Sequence, residues 1–393
     1  MSARKKIAAV ITEYRESAHA DVIVGKFIKG FPTDEGLIAP RVDIASMYLD
    51  QIPENDIGLA LAEKYGIPVY RSIRQALCLG GDELAVDGVL AIGEHGSYAF
   101  NEKGQHLYPR RYFFEQICGV IATSGRAIPV FNDKHLSYNW DEAKWMYERA
   151  AALKIPLMAG SSVPLFWRDP WLEHELEAPI EEAIMLGIKG MDAFGFHALE
   201  GLQTMVERRR GGEQGIAAVQ ALQGDAVWRV GDEGRWSRPL AAAALERVKQ
   251  EREGGMEEGC EHPVVLLLEY NDGFKAALLL LRDYIGEYGY AARVRGRVQA
   301  TALNVIGAPA PSFSYQCLNI EAMFLSGKPR YPAARTLLAS GAIDAAMESL
   351  YRGGARLETP HLDVAYPAPE SAPIRPTAPR PQGASRVPFE ADV

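Results

Sequence analysis

The chain is poor in cysteine. Cys78, Cys118, Cys260 and Cys317 are the four in 393 residues, and no two form a C-x-x-C pair. This spacing argues against a zinc knuckle and against a disulfide framework, leaving four reduced core thiols. Positive charge is not in surplus either. The formal net charge is -9, and no helix-turn-helix, zinc-ribbon or RNA-binding pattern occurs, so no nucleic-acid partner is expected. Long apolar runs are also missing. After the basic start only five apolar residues, Ile7 to Ile11, precede Thr12 and Glu13, too few for a signal peptide or a membrane span. A cytoplasmic protein without membrane contact is expected. Finally, the stretch Thr12-Glu-Tyr-Arg-Glu-Ser-Ala-His19 contains no glycine.

What is present is a long chain, about half apolar, which suits two domains. The apolar runs Ile7–Ile11, Val42–Leu49, Val86–Ile92, Ile128–Phe131 and Pro156–Gly160 read as buried parallel strands. Helices are expected at Ala18–Ile28, Ile57–Tyr65, Ser72–Leu79 with Ser72 as cap, Arg111–Ser124 and Asp141–Leu153. Such alternation implies a Rossmann-like doubly wound parallel sheet over residues 1–160. From 161 to 366 the pattern changes to an α+β domain with a mostly antiparallel open sheet. Strands are expected at Gly187–Ala193, Ala226–Val230, Val264–Tyr270 and Lys275–Leu281, the last two joined by the hairpin signal Asn271-Asp-Gly273. Helices are expected at His197–Arg209, Pro239–Glu251, Ser314–Phe324 and Ala333–Arg352. Residues 367–393 are proline-rich and read as disordered or as an extended arm laid on a neighbour.

The residues with the most chemistry follow two of these strands. Asp133, Lys134 and His135 crowd one turn after Ile128–Phe131, and Glu94 and His95 follow Val86–Ile92 in Gly93-Glu-His-Gly96. In an open α/β sheet, ligands bind in the crevice at the carboxyl ends of strands. The second domain is expected to bring His197 over that crevice. Imidazoles and carboxylates converging there also admit a divalent metal, with His95, Asp133, His135 and His197 as ligands. No pair, however, has His-x-x-x-His spacing.

The order Tyr65-Gly-Ile-Pro-Val-Tyr-Arg-Ser72, Val86-Asp-Gly-Val89, Asp133-Lys134, Gly160-Ser-Ser162 and Gly190-Met-Asp-Ala-Phe-Gly-Phe-His197 resembles the Gfo/Idh/MocA oxidoreductases, the glucose-fructose oxidoreductase and inositol dehydrogenase family. Glu321 to Pro329 and Arg335 to Leu338 resemble that family's closing helices. The likeness spans roughly residues 5 to 366. It implies an oxidoreductase that uses NAD or NADP on a sugar-like or polyol-like hydroxyl. By the same resemblance Lys134 is the acid/base, His197 orients the hydroxyl with Asp192 in support, and His135 shares proton duty. Thr12, Arg15, Asp50 and Glu94 face the cofactor, and the open sheet supports a homo-oligomer. Two departures stand out. The Asp192–His197 spacing is one residue longer than the family's Asp-x-Gly-x-His element, and the first turn lacks the Gly-x-Gly-x-x-Gly fingerprint that lets backbone approach a pyrophosphate. The alternative is a non-redox, metal-assisted lyase, hydrolase or isomerase on a scaffold that has lost the dinucleotide site. A catalytically silent scaffold subunit is the third class.

Overall fold

The computed structural model describes residues 4–33, 36–305, 310–370 and 373–376. Its first half contains β1 (Lys5–Ile11), α1 (His19–Lys29), the small β2–β3 hairpin (Phe31–Thr33, Gly36–Ile38), β4 (Val42–Leu49), α2 (Gly58–Lys64), β5 (Val69–Tyr70) and α3 (Ile73–Leu77). It continues through β6 (Gly88–Ile92), α4 (Arg110–Ser124), β7 (Val130–Asp133), α5 (Trp140–Ala152) and β8 (Leu157–Gly160). Six of these strands form one parallel sheet, ordered β5-β4-β1-β6-β7-β8. The strand order reverses between β1 and β6, which opens a crevice at their carboxyl ends. Both faces are buried, as a continuous apolar run requires. Ile7, Ala9 and Ile11 join one core, while Ala8 and Val10 join the other. Ser72 caps α3 as expected, its Oγ accepting from the Gln75 N–H at 3.2 Å.

The second half contains β9 (Trp167–Asp169), β10 (Ile180–Gly187), α6 (Phe196–Val206), β11 (Glu213–Gln214), β12 (Ile216–Gln223), α7 (Asp225–Asp232), α8 (Arg238–Leu245) and α9 (Met256–Gly259). It ends with β13 (Val264–Tyr270), β14 (Lys275–Leu280), β15 (Tyr288–Val294), β16 (Arg297–Asn304), α10 (Pro311–Ser326), α11 (Ala333–Tyr351), β17 (Leu357–Glu358) and β18 (Ala365–Tyr366). The large sheet is ordered β17-β12-β13-β14-β10-β15-β16-β9, and only β10 and β14 pair in parallel. The β13–β14 hairpin turns at the expected Asn271-Asp-Gly273.

Two expected strands are corrected. Ala226–Val230 lies within α7, because Val227 and Val230 are one helical turn apart and both face the core. Trp236 seals this helix, its indole N–H donating to the Val227 carbonyl at 2.9 Å. Gly187–Ala193 is not a strand either. β10 ends at Gly187, and Met191–Gly195 forms a π-turn.

The large sheet is an open row from β17 to β9, with helices packed on both of its faces. Met185 and Gly187 face α6, since a Cβ on Gly201 would lie 3.1 Å from Met185 and one on Gly187 would lie 3.0 Å from Ala198. Gly289, paired with Leu186, faces the other way and backs onto the Ala244 carbonyl and Val248, each 3.0 Å from where its Cβ would be. Ala244 of α8 and Val248 after it therefore cover this face at β15.

Helices α10 and α11 return to the first sheet. Cys317, Ile320, Met323 and Phe324 of α10 share a core with β1 and α1, and α11 contributes Leu337 to the first unit's core and Leu338 to the second's. The described residues of the proline-rich arm, 367–370 and 373–376, lie on their own chain. Arg208 donates to the Pro369 carbonyl at 3.2 Å. Asn319 brackets Ile374, accepting from its N–H at 3.0 Å and donating to its carbonyl at 2.6 Å. The rest of the arm lies outside the described residues.

Candidate functional site

Four strand ends of the first sheet supply the polar residues. Thr12 follows β1, Glu94 and His95 follow β6, Asp133 ends β7 with Lys134 just after it, and Ser161 follows β8. His95 and Lys134 adopt left-handed backbone conformations, with φ of 69° and 58°. Such angles are costly for side chains bearing a Cβ, and they cluster at ligand sites.

Lys134 is buried and donates from Nζ to Glu94 Oε1 at 2.5 Å, while Arg110 donates to Glu94 Oε2 at 2.5 Å. Burial alone would raise the Glu94 carboxyl. The two cations reverse this and hold it well below the usual carboxylate range. Arg110 opens α4 and reaches the site across Gly93, where a Cβ would sit 2.7 Å from Arg110 Cγ. It also donates to His135 Nε2 at 3.3 Å. Sequence reasoning missed Arg110, because Pro109-Arg-Arg reads as an exposed helix start.

Four imidazoles surround this ion cluster. His19, the first residue of α1, bonds through Nδ1 to Asp133 Oδ2 at 2.6 Å. Its ring lies 5.5 Å from that of His95 and is stacked 6.1 Å from that of His197. His95 Nδ1 accepts from Arg15 at 3.2 Å, and His197 Nδ1 meets the Ser161 hydroxyl at 2.6 Å. Burial, aided by nearby cations, keeps His135 and His197 well below the usual imidazole range. Burial likewise pushes His95 down to about 3. These three rings are neutral at pH 7.

Asp192 enters from the second domain by way of the π-turn. The Gly195 N–H donates to the Gly190 carbonyl at 3.0 Å, a five-residue bond that absorbs the one-residue excess between Asp192 and His197. Asp192 Oδ2 accepts from the His106 N–H at 3.1 Å. Its other oxygen, Arg110 Nε and His135 Nδ1 are buried without partners. Burial raises the Asp192 carboxyl. Glu200, one turn after His197, accepts from the Ser161 N–H at 3.3 Å, and burial raises it to about 7. Arg209, in the run after α6, is buried, bonded to Glu213 at 3.0 Å and to Asp272 at 2.7 Å.

The residues expected to face a cofactor are differently employed. Thr12 donates to the Glu94 carbonyl at 2.7 Å, Arg15 donates to Glu13 at 2.7 Å, and Asp50 accepts from the Tyr48 and Tyr98 hydroxyls at 2.7 Å each. Tyr14 is fully buried and wedged between α1 and the start of α2. A Cβ on Gly58 would lie 2.7 Å from Tyr14 Cβ, and one on Gly25 would lie 3.0 Å from its hydroxyl. A pyrophosphate needs backbone donors at this turn, and the chain offers a phenol ring and the buried Glu13 instead. These residues do not fit a conventionally seated dinucleotide. The metal alternative fails on geometry as well. Among the described residues no three His, Cys, Asp or Glu side chains could hold an ion, because His19, His95, His135 and His197 are each engaged by a separate partner.

No protein-family model matches the chain, and no curated protein matches it in sequence. Solved structures do match. GenD2 from gentamicin A biosynthesis, in complex with NAD, aligns at 15% identity and TM-score 0.57, over 91% of this chain and 97% of its own. Scyllo-inositol dehydrogenase from Lactobacillus casei, with bound NAD(H) and scyllo-inositol, aligns at 10% identity and TM-score 0.57, over 91% and 99%. Myo-inositol 2-dehydrogenase from Lactobacillus plantarum gives the same identity, TM-score and coverage. The chain has the two-domain fold of these dehydrogenases, the fold that its resemblance to the Gfo/Idh/MocA oxidoreductases implied.

Proposed function

We propose that the chain is an enzyme that works by proton transfer on a sugar-like or polyol-like substrate, bound in the crevice where β6, β7 and β8 end. The observation that carries this reading is the buried Lys134–Glu94–Arg110 cluster, beside which two donors, Arg110 Nε and His135 Nδ1, and one acceptor, Asp192 Oδ1, lack partners. Buried polar atoms are nearly always satisfied, and vicinal hydroxyls both donate and accept. A polyhydroxylated ligand would satisfy all three. Lys134, ion-paired with Glu94, is the acid that protonates or stabilises a developing oxyanion. His197, kept neutral by burial, orients a substrate hydroxyl.

A second reading keeps the redox chemistry, an NAD(P)-dependent oxidation or reduction of such a hydroxyl. It draws support from the NAD-bound structures that share the fold. The filled first turn counts against it. Incubating the protein in deuterium oxide with a panel of sugars, polyols and sugar acids, with and without NAD or NADP, separates the two by proton NMR. Product or carbon-bound deuterium without added nucleotide supports proton-transfer chemistry. Strict dependence on added nucleotide would transfer the assignment to the redox reading.

A further inference from the structure

The hydrogen-bond partners of His19, His95 and His135 fix where each ring carries its proton, and they set His19 apart. An arginine only donates. His95 therefore accepts at Nδ1 from Arg15 and carries its hydrogen on Nε2, whereas His135 accepts at Nε2 from Arg110 and carries its hydrogen on Nδ1. The Ser161 hydroxyl oxygen already accepts from the Val163 N–H at 3.0 Å. A hydroxyl oxygen has a second lone pair, so Ser161 either donates to His197 Nδ1 or accepts from it, and this bond does not fix the His197 tautomer. A carboxylate only accepts. Asp133 thus takes the Nδ1 hydrogen of His19 at 2.6 Å, and the His19 Nε2 lone pair makes no hydrogen bond among the described residues.

We propose that His19 is the general base of this site and that Asp133 is its positioning residue. The proposal rests on the proton-transfer reading given above. In the step, the substrate O–H or C–H bond breaks and an N–H bond forms at His19 Nε2. The electron pair remains on the substrate, where the Lys134 ammonium counters it. The imidazolium so formed keeps its Nδ1 hydrogen on Asp133, which balances the new charge. His95 and His135 cannot take this role without giving up a bond to a cation, His197 has a hydroxyl rather than a carboxylate to hold an imidazolium, and burial opposes the charging of all three. This assigns a use to a residue in the turn whose glycines are missing.

Nitrogen-15 NMR of the full chain labelled at histidine tests this without a substrate. The signals that vanish in His19→Asn are expected to report a ring protonated at Nδ1, and Asp133→Ala is expected to change that pattern. Asparagine at position 19 keeps a donor for Asp133 but has no base. His19→Asn should therefore lower turnover of the best substrate in the panel at least about a hundredfold. A His19 ring protonated at Nε2, or near-normal turnover in His19→Asn, would overturn the proposal. Loss of turnover in Lys134→Ala with normal His19→Asn would sink the base assignment alone. Normal turnover in both would sink the crevice reading itself.

Discussion

His19 Nδ1 and Asp133 Oδ2 lie 2.6 Å apart across 114 residues of sequence, joining the start of α1 to the end of β7. This bond spans the point where the strand order reverses. It brings the turn after β1 and the strand-end carboxylate into one site, and it depends on β1, β6 and β7 lying side by side. The same adjacency lets Arg110 and Lys134 converge on Glu94.

Glu94 is the keystone of the charge cluster. Glu94→Gln leaves two buried cations without a counter-ion and should cost about 3–5 kcal/mol of stability, read from denaturant midpoints. Lys134→Ala leaves Glu94 paired with Arg110 and should cost less, about 1–3 kcal/mol. Equal losses in both would show that the two cations do not share the carboxylate.

Stability should fall on mild acidification. His95, His135, His174 and His197 have folded-state affinities for protons lowered by burial. In the unfolded chain they protonate below about 6.5. Their contribution is therefore present above that pH and is lost as pH falls toward the folded values, about 2 kcal/mol each by pH 5. Glu200 has the opposite sign. Its folded value, raised to about 7, means it regains about 2 kcal/mol over the same range, offsetting one histidine. Denaturant titrations at pH 7 and pH 5 should differ by about 4–6 kcal/mol. Equal stabilities would mean that these imidazoles titrate as if exposed. Glu200→Gln should remove the compensating part and steepen the fall.

Much of the site was legible because it follows apolar strands that end abruptly in charge. Val130-Phe-Asn-Asp-Lys-His135 and Leu90-Ala-Ile-Gly-Glu-His95 have this form, and the crevice rule converts strand ends into a site. Arg110 was not legible, since its burial depends on Gly93 seventeen residues earlier giving it room. His19 was conspicuous only as an oddity in a glycine-free turn, and its partner becomes known only once β1 and β7 are placed in one sheet. In the second domain the short run Ala226–Val230 misled, since a strand would send Val227 and Val230 to opposite faces whereas one helical turn buries both. Strands β12, β15 and β16 passed unnoticed: β12 and β16 mix alanine with polar residues, and β15 interrupts its tyrosines and valine with Gly289 and Ala291-Ala-Arg293. The covering of the large sheet by α8 was equally hidden, since it rests on Gly289 meeting Ala244 through a long-range contact.

The first turn makes a separate prediction. With Tyr14 packed between α1 and α2 and Glu13 buried beside it, calorimetry with NAD or NADP should give no saturable binding below about millimolar concentration, because the turn offers a pyrophosphate too few donors. Micromolar affinity, with the pyrophosphate on residues 12–19, would refute the incompatibility drawn from Tyr14.

The most direct test of the whole account is the turnover of Lys134→Ala on the sugar or polyol that the wild-type protein converts best, corrected for the folded fraction. Loss of an acid that acts on the reacting oxygen predicts a fall of at least about a hundredfold, with the variant still folded at the assay temperature. Turnover within a few-fold of wild type in a folded Lys134→Ala would contradict the assignment of chemistry to this crevice.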